Sequence, residues 1–321
     1  MIPDITLIIT NWNGIDLLRE CLPSILAAVK YDAGHAYEIM VIDDCSSDLS
    51  LKMLAEEFPS VRRERTPHNL GFQKANNHAV ELANSRLVMP MNNDIKLHEQ
   101  ALWYLAKHFD GGETFAVSGD FFDFDQKTFL YGNRGGYFRR GHFYLYEKPP
   151  GDSSQTLFAC GGAFMVDRKR YLELGGFDAM YHPLYYEEID LSYRALKRGW
   201  AVRYEPRSIA YHKVRGTIVK QEKQRRISLI SARNNYLFVW KNILDPKMTA
   251  SFLFFIPLFL LRDLIRMKPR FWTAFFMALK RLPQALQGRR AETRLALHSD
   301  RVTLDRVNRG NSKPKRAPAA G

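Results

Sequence analysis

Between Ile5 and Met91, strand-like runs alternate with segments of helical spacing, and this alternation limits the fold more than any other feature of the chain. Ile5–Thr10, Tyr37–Ile42, Val61–Arg65 and Leu87–Met91 read as strands; Leu17–Val29, Ser50–Phe58 and Gly71–Ala83 read as helices. The expected architecture is α/β, with a mostly parallel sheet flanked by helices. In such sheets ligands bind beyond the carboxyl ends of the strands, which points to residues 10–14, 43–48 and 92–94. A chain of 321 residues suits one large domain with an appendage, or two small ones.

Each of these strand ends carries polar residues. Asp43, Asp44, Ser46 and Asp48 follow a strand, where carboxylates can accept hydrogen bonds from a base or ribose; Asp and Ser are equally favoured in plain turns. Asn92, Asn93 and Asp94 follow another, and one carboxylate there can ligate a hard divalent cation that bridges diphosphate oxygens. His212 stands alone, and a lone histidine is more often structural than a ligand. Further along, Glu187, Glu188 and Asp190 open a segment in which Ile189, Tyr193, Leu196 and Trp200 form an apolar helical stripe that the acids mostly miss. First-turn acids are favoured by the helix dipole and are expected to stay ionised. With Arg194 and Arg198 nearby, a solvated, salt-bridged face is the simpler reading of this helix on its own.

The net charge of +13 is unevenly spread. From Arg262 onward there are fifteen Lys or Arg against four Asp or Glu, so 15 − 4 = +11 lies in the tail, interleaved with apolar runs. A near-neutral body argues against nucleic acid as partner, whereas an anionic membrane surface accounts for both the charge and the apolar runs. The uncharged run Thr249–Leu261 spans about 20 Å as a helix, short of the roughly 30 Å bilayer core, so a monotopic or re-entrant contact is expected; a buried core helix is the alternative. Cys21, Cys45 and Cys160 show no ligand or Cys-x-x-Cys spacing and read as reduced thiols of a cytoplasmic protein. The opening MIPDITLIITNWNG reads as a first strand and not as a secretory leader.

Taken in order, these stretches resemble glycosyltransferase family 2, the inverting GT-A enzymes, over about residues 4–245, and in particular its bacterial rhamnosyltransferase-like branch. ITNWNG, with Thr10 and Asn13, is similar to the opening strand and turn. IDDCSSD matches the nucleotide-binding pattern at Asp43, Asp44, Ser46 and Asp48, and NLGFQKANN an Asn-x-Gly-Phe motif followed by Asn, at Asn69, Gly71, Phe72 and Asn77. MNND, with Asn93 and Asp94, stands at the metal motif; CGGAFMVDR, with Gly161 and Gly162, at the acceptor-side segment. GGFDAMYHPLYYEEIDLSYRALKRG is similar to the helix bearing the catalytic base, YHKVRG to the element that adds a histidine metal ligand, and RNNYLFVWKN to the segment after the catalytic domain.

The resemblance implies a GT-A catalytic domain over 1–230, with a nucleotide-sugar half to about 110 and an acceptor half from about 111. A membrane-associating amphipathic helical extension would follow over 231–290, and a basic, disordered tail over 291–321. It implies an inverting transfer from a nucleotide-diphosphate sugar to a lipid-linked or cell-surface glycan, at the inner face of the cell membrane, with Mg2+ or Mn2+ held by Asp94 and His212. Glu188 aligns with the base, one methylene longer than the usual aspartate. Glu187 would support it, and Asp190 would either contact the acceptor or orient the helix through Arg194. The donor side would comprise Thr10, Asn13, Asp43, Asp44, Ser46, Asn69, Gly71, Asn77 and Asn93. The exchanges at Glu188 and Asn92 are the only support for the alternative, a catalytically inactive binding or assembly module of the same fold.

Overall fold

The structure is a computed structural model that describes residues 2–149, 154–213, 221–266 and 270–309. Strand β1 (Ile5–Asn11) leads through α1 (Ile15–Tyr31) to β2 (Tyr37–Asp43), then α2 (Ser50–Glu57), β3 (Arg62–Arg65), α3 (Phe72–Leu82) and β4 (Leu87–Asn92). After β5 (Ile95–Leu97) and α4 (Ala101–Ala106) come β6 (Thr114–Asp123), β7 (Phe129–Tyr131) and the hairpin of β8 (Arg134–Arg139) and β9 (His142–Glu147). Next are β10 (Ser154–Gln155), β11 (Met165–Asp167), α5 (Arg168–Glu173), α6 (Glu187–Lys197) and β12 (Ala201–His212). The chain then turns helical: α7 (Gln221–Asn242), α8 (Pro246–Ile265), α9 (Arg270–Leu279), α10 (Leu282–Leu295) and α11 (Asp300–Asn308).

The main sheet runs β10-β12-β6-β11-β4-β1-β2-β3. Its β4-β1-β2-β3 half is parallel, β6 and β12 are parallel to each other, and β11 joins the halves by antiparallel pairing to β4 and β6. The expected mostly parallel α/β sheet is therefore present. The period-two geometry of β1 explains why its sequence is continuously apolar: Ile5, Leu7 and Ile9 pack with Leu18, Leu22 and Ile25 of α1, whereas Ile8 faces Ala79 and Val80 of α3. Both faces are covered, so the carboxyl ends of the strands remain as the free edge.

The helical C-terminus is stitched into this body. The boundary expected at 230 falls inside α7. Helix α10 extends to Leu295, and α11 occupies part of the stretch expected to be disordered. Composition misleads there because its polar groups are paired: the fully buried Asp300 accepts from Lys197 Nζ (3.1 Å), Tyr193 Oη (2.9 Å) and the amides of Leu244 and Asp245. Leu304 and Val307 are buried beside it. The remainder of that stretch, 310–321, lies outside the described residues.

Candidate active site

Asn11, the last residue of β1, organises the strand-end edge. It is fully buried, donates to Asp43 Oδ1 (3.2 Å) and Ser46 Oγ (3.4 Å), and accepts from Asn93 Nδ2 (2.8 Å). The Asn13 amide donates to Ser46 Oγ (2.9 Å), with its backbone in the left-handed region that Asn tolerates better than most residues (φ 49°). Asp43 Oδ2 accepts from the Ser46 amide (3.0 Å). Asn11, Asn13, Asp43, Ser46 and Asn93 thus form one polar edge. Thr10 stands beside it with a buried hydroxyl that has no partner among the described residues.

Asp44 turns toward α3: Oδ1 accepts from Leu70 N (2.7 Å) and Thr66 Oγ1 (2.9 Å), and Oδ2 from Gly71 N (2.9 Å). Asn69 donates to the Asp44 carbonyl (3.3 Å). Asn77 departs from the expected donor set. Its side-chain oxygen accepts from Tyr171 Oη (2.6 Å) and Phe177 N (2.9 Å) and its NH2 donates to Phe177 O (2.8 Å), so this side chain holds the turn before α6.

The antiparallel pairing of β12 with β5 sets His212 opposite Ile95, next to Asp94. His212 Nε2 lies 3.4 Å from Asp94 Oδ1, and its Nδ1 is within 2.8 Å of Tyr131 Oη, which orients the ring. Asp94 Oδ1 is buried without a hydrogen bond among the described residues. No group of three or more His, Cys, Asp or Glu that could hold a metal occurs among them. A carboxylate with an orphaned oxygen beside an oriented imidazole fits a cation that draws its remaining ligands from water and phosphate.

Helix α6 starts after two tyrosines in the left-handed region, Tyr185 (φ 62°) and Tyr186 (φ 83°). For aromatic residues this conformation is strained, and such strain persists only where neighbours over-determine it. Here they do. Asn234, fully buried on α7, donates to the carbonyls of Tyr181 (3.0 Å), Leu184 (2.9 Å) and Tyr185 (2.9 Å). Arg233 donates to the Tyr181 and His182 carbonyls, and Asn235 to Tyr186 Oη (2.6 Å). These contacts turn Glu187 and Glu188 into a cavity of about 430 Å³ whose walls include Phe72, Asn92, Tyr131, Gly161, Gly162 and His212.

The expected ionisation is contradicted at Glu187 and Glu188, though not at Asp190. Burial pushes the Glu187 carboxyl up to about 7, and burial followed by repulsion from Glu187 raises Glu188 well above the ordinary carboxylate range. A dipole contribution of about 0.3–1 kcal/mol is too small to offset that desolvation. Glu188 rests on the backbone of Gly161: a Cβ there would lie 1.6 Å from Glu188 Oε1. Gly161→Ala is therefore expected to lower kcat by about 10²-fold through misplacement of the carboxyl, measured by steady-state turnover on protein with an unchanged circular dichroism spectrum.

Asp190 lies outside the cavity and is completely buried. Its Oδ1 accepts from Asn242 (2.8 Å) and Tyr181 Oη (3.0 Å), its Oδ2 from Arg194 (2.7 Å) and Lys241 (2.9 Å). Burial would raise its pKa, but the charges of Arg194 and Lys241 outweigh it and hold the carboxyl well below the usual range. Of the two roles expected for Asp190, this geometry suits the orienting one. Nor is the Arg face solvated: Arg194 is buried, and Arg198 makes a buried bidentate pair with Glu292 (2.8 and 3.1 Å).

A family model described as Glycosyl transferase family 2 matches residues 6–175. A stretch of 94 residues is 29% identical to the succinoglycan biosynthesis protein ExoO of Rhizobium meliloti, covering 29% of this chain and 26% of that protein. Another of 109 residues is 31% identical to an uncharacterized protein of Mycobacterium tuberculosis, covering 34% and 33%. The matched stretches thus span only about a quarter to a third of these curated relatives. Among solved structures, GalNAc-T7 with UDP, GalNAc and Mn2+ has a TM-score of 0.59 at 17% identity, over 77% of this chain and 49% of that one. The mannosyltransferase PcManGT of Pyrobaculum calidifontis with GDP-Man and Mn2+ has a TM-score of 0.53 at 16% identity, over 96% and 84%. TarS of S. aureus with UDP-GlcNAc has a TM-score of 0.54 at 13% identity, over 96% and 92%. At these identities the likeness is one of fold.

Proposed function

This chain belongs to glycosyl transferase family 2, and from that premise we propose that it moves a sugar, with inversion, from a nucleotide-diphosphate donor to a lipid-linked or cell-surface glycan at the inner membrane face. The observation that carries the reading is that Glu188 and His212 line one cavity with Asn92, at the carboxyl end of β4. A single displacement needs one base on the face of the sugar opposite the leaving diphosphate. Glu188 takes the acceptor hydroxyl proton while that oxygen attacks the anomeric carbon and the bond to the diphosphate breaks. A raised pKa makes it a stronger base near neutral pH. Glu187, buried beside it, shares the titration of the pair.

Asn11, Asn13, Asp43, Ser46 and Asn93 line the edge assigned to the nucleotide, while Asp44, Asn69 and Gly71 fix the loop that closes it. Asp94 and His212 would hold Mg2+ or Mn2+, which when bound neutralises charge on the departing diphosphate. Asp94→Asn is expected to weaken Mn2+ binding at least about tenfold, measured by equilibrium dialysis, and to lower turnover in parallel. A panel of nucleotide sugars scored by nucleotide release, with the anomeric configuration of the product read by NMR, tests the whole reading. Absence of release from every donor would reject it. The rhamnosyltransferase-like branch rests on motif order, and the same panel assigns the donor.

Membrane attachment is part of the proposal. Helix α8 has 20 residues, about 30 Å, and is apolar enough to cross a bilayer by length and composition. One side of it packs on the body through Phe252 and Ile256, while Phe254, Leu258, Leu261 and Ile265 are exposed, with Arg262 and Arg266 near its end. This two-sidedness supports a monotopic helix lying in the interface. Replacing Phe254 and Leu258 together with Asp is expected to weaken binding to phosphatidylglycerol vesicles at least about tenfold in co-sedimentation, with unfolding temperature unchanged.

A further inference from the structure

A second cavity, of about 740 Å³, lies on the other side of the segment that delivers Glu188. Lys74 of α3, His182, and Arg281 at the α9–α10 junction line it, together with the glutamines Gln284 and Gln287. Its charge is unbalanced. Among the described residues Lys74 has no hydrogen-bond or ion-pair partner, the His182 ring has none, and the Arg281 guanidinium donates only to the carbonyls of Met180 and His182. Arg233, also without a carboxylate partner among the described residues, donates to Asn234 and to the Tyr181 and His182 carbonyls. The one acid in the lining, Asp178, is already taken by Lys241 Nζ (2.7 Å) and the Met180 amide (2.8 Å). The cations repel one another: after burial, Arg281, Arg233 and Lys74 lower the His182 pKa, and burial followed by Arg281 lowers Arg233 to about 10. Convergent, uncompensated cations around a cavity ringed by amides are complementary to a phosphate.

The position says which phosphate. His182 lines this cavity, and the residues that follow it, Pro183, Leu184 and Tyr185, line the cavity of Glu188. Arg281, two residues past the end of α9, comes five residues after Phe276, an exposed apolar residue of that helix. The cavity therefore sits between the apolar surface and the reacting centre. We propose that Lys74, His182 and Arg281 form a subsite for the phosphate or diphosphate of a lipid-linked acceptor, holding it at headgroup depth while the sugar end reaches Glu188. This rests on the transferase reading above and adds to it the group by which the acceptor is held.

The test is equilibrium binding of farnesyl diphosphate to the full chain in EDTA, which suppresses metal-dependent binding at Asp94 and His212. Wild type is expected to bind, and Lys74→Gln and Arg281→Gln each to weaken binding roughly tenfold, as for loss of one charge-assisted contact. The His182 ring, identified in NMR spectra by the loss of its signals in His182→Gln, is expected to titrate at higher pH once the diphosphate is bound. Lys74 is exposed and holds no partner among the described residues, so Lys74→Gln separates binding from folding even where Arg281→Gln loosens the loop. Unchanged affinity in Lys74→Gln and in the variant combining Lys74→Gln with Arg281→Gln overturns the subsite. Displacement of the probe by phosphatidylglycerol but not phosphatidylcholine vesicles, lost in the same variants, assigns the subsite to a phospholipid headgroup and overturns the acceptor assignment. Equal displacement by UDP or GDP assigns it to the donor, with the same consequence. A wild type that releases nucleotide from no donor sinks the transferase reading and leaves this binding result standing.

Discussion

Glu188→Gln is expected to lower kcat by about 10²–10⁴-fold, the usual contribution of a positioned general base, while leaving donor binding within a factor of two or so. The exchange keeps size and removes basicity, so a loss confined to kcat separates chemistry from binding. Retention of turnover would reject the assignment. The pH dependence supplies an independent check. In the folded protein the Glu187–Glu188 pair retains a proton that the unfolded chain releases near 4.5, because burial pushes Glu187 up to about 7, and burial followed by repulsion from Glu187 raises Glu188 well above the ordinary carboxylate range. Wild-type kcat/KM should therefore climb with pH over a range displaced upward from that of an ordinary carboxylate. Global stability should fall over the window from about 4.5 to about 7, since the folded state binds more protons there than the unfolded one.

Asp190→Ala is expected to destabilise the protein by about 3–5 kcal/mol, because Arg194 would be left buried without its ion-pair partner and Lys241 would keep only Asp178. Against a typical total of about 5–15 kcal/mol this is a large fraction, and thermal unfolding should move down by roughly 10 °C. Replacing the whole cluster by Asp190→Leu, Arg194→Leu and Lys241→Met should recover part of the loss, since the penalty comes from breaking the pair and not from lacking one. Equal destabilisation by the single and triple variants, measured by denaturant titration, would contradict that origin.

The β/α half was readable from the sequence because its information is local: period-two strands and helical spacing within ten residues set the sheet, and the sheet sets where the polar strand ends meet. Asp43, Ser46, Asn93, Asp94 and His212 followed from that placement together with family motif order. Asn11 was overlooked although it lies in the same turn, since a buried asparagine at a strand end has no spacing signature. Helix α6 misled for the opposite reason. Arg194 and Arg198 have the composition of a wet face, and what makes them interior is a set of partners far off in the chain: Asp190 is completed by Lys241 and Asn242, and Arg198 by Glu292. The same remoteness hid the ionisation of Glu187 and Glu188, and it hid the role of Asn234, which holds three carbonyls of a loop some fifty residues earlier.

The long-range pairing of α6 also imposes an order on synthesis. Lys197 meets Asp300 across 103 positions and Arg198 meets Glu292 across 94, so neither cation has its partner when the sheet is complete. At about 5–20 residues per second a nascent chain waits roughly 5–20 s for these counter-charges to leave the ribosome. During that wait the apolar helices α8 and α9 emerge first. Helix α6, which carries Glu188, therefore gains its last ion-pair partners only after α8 and α9 have left the ribosome.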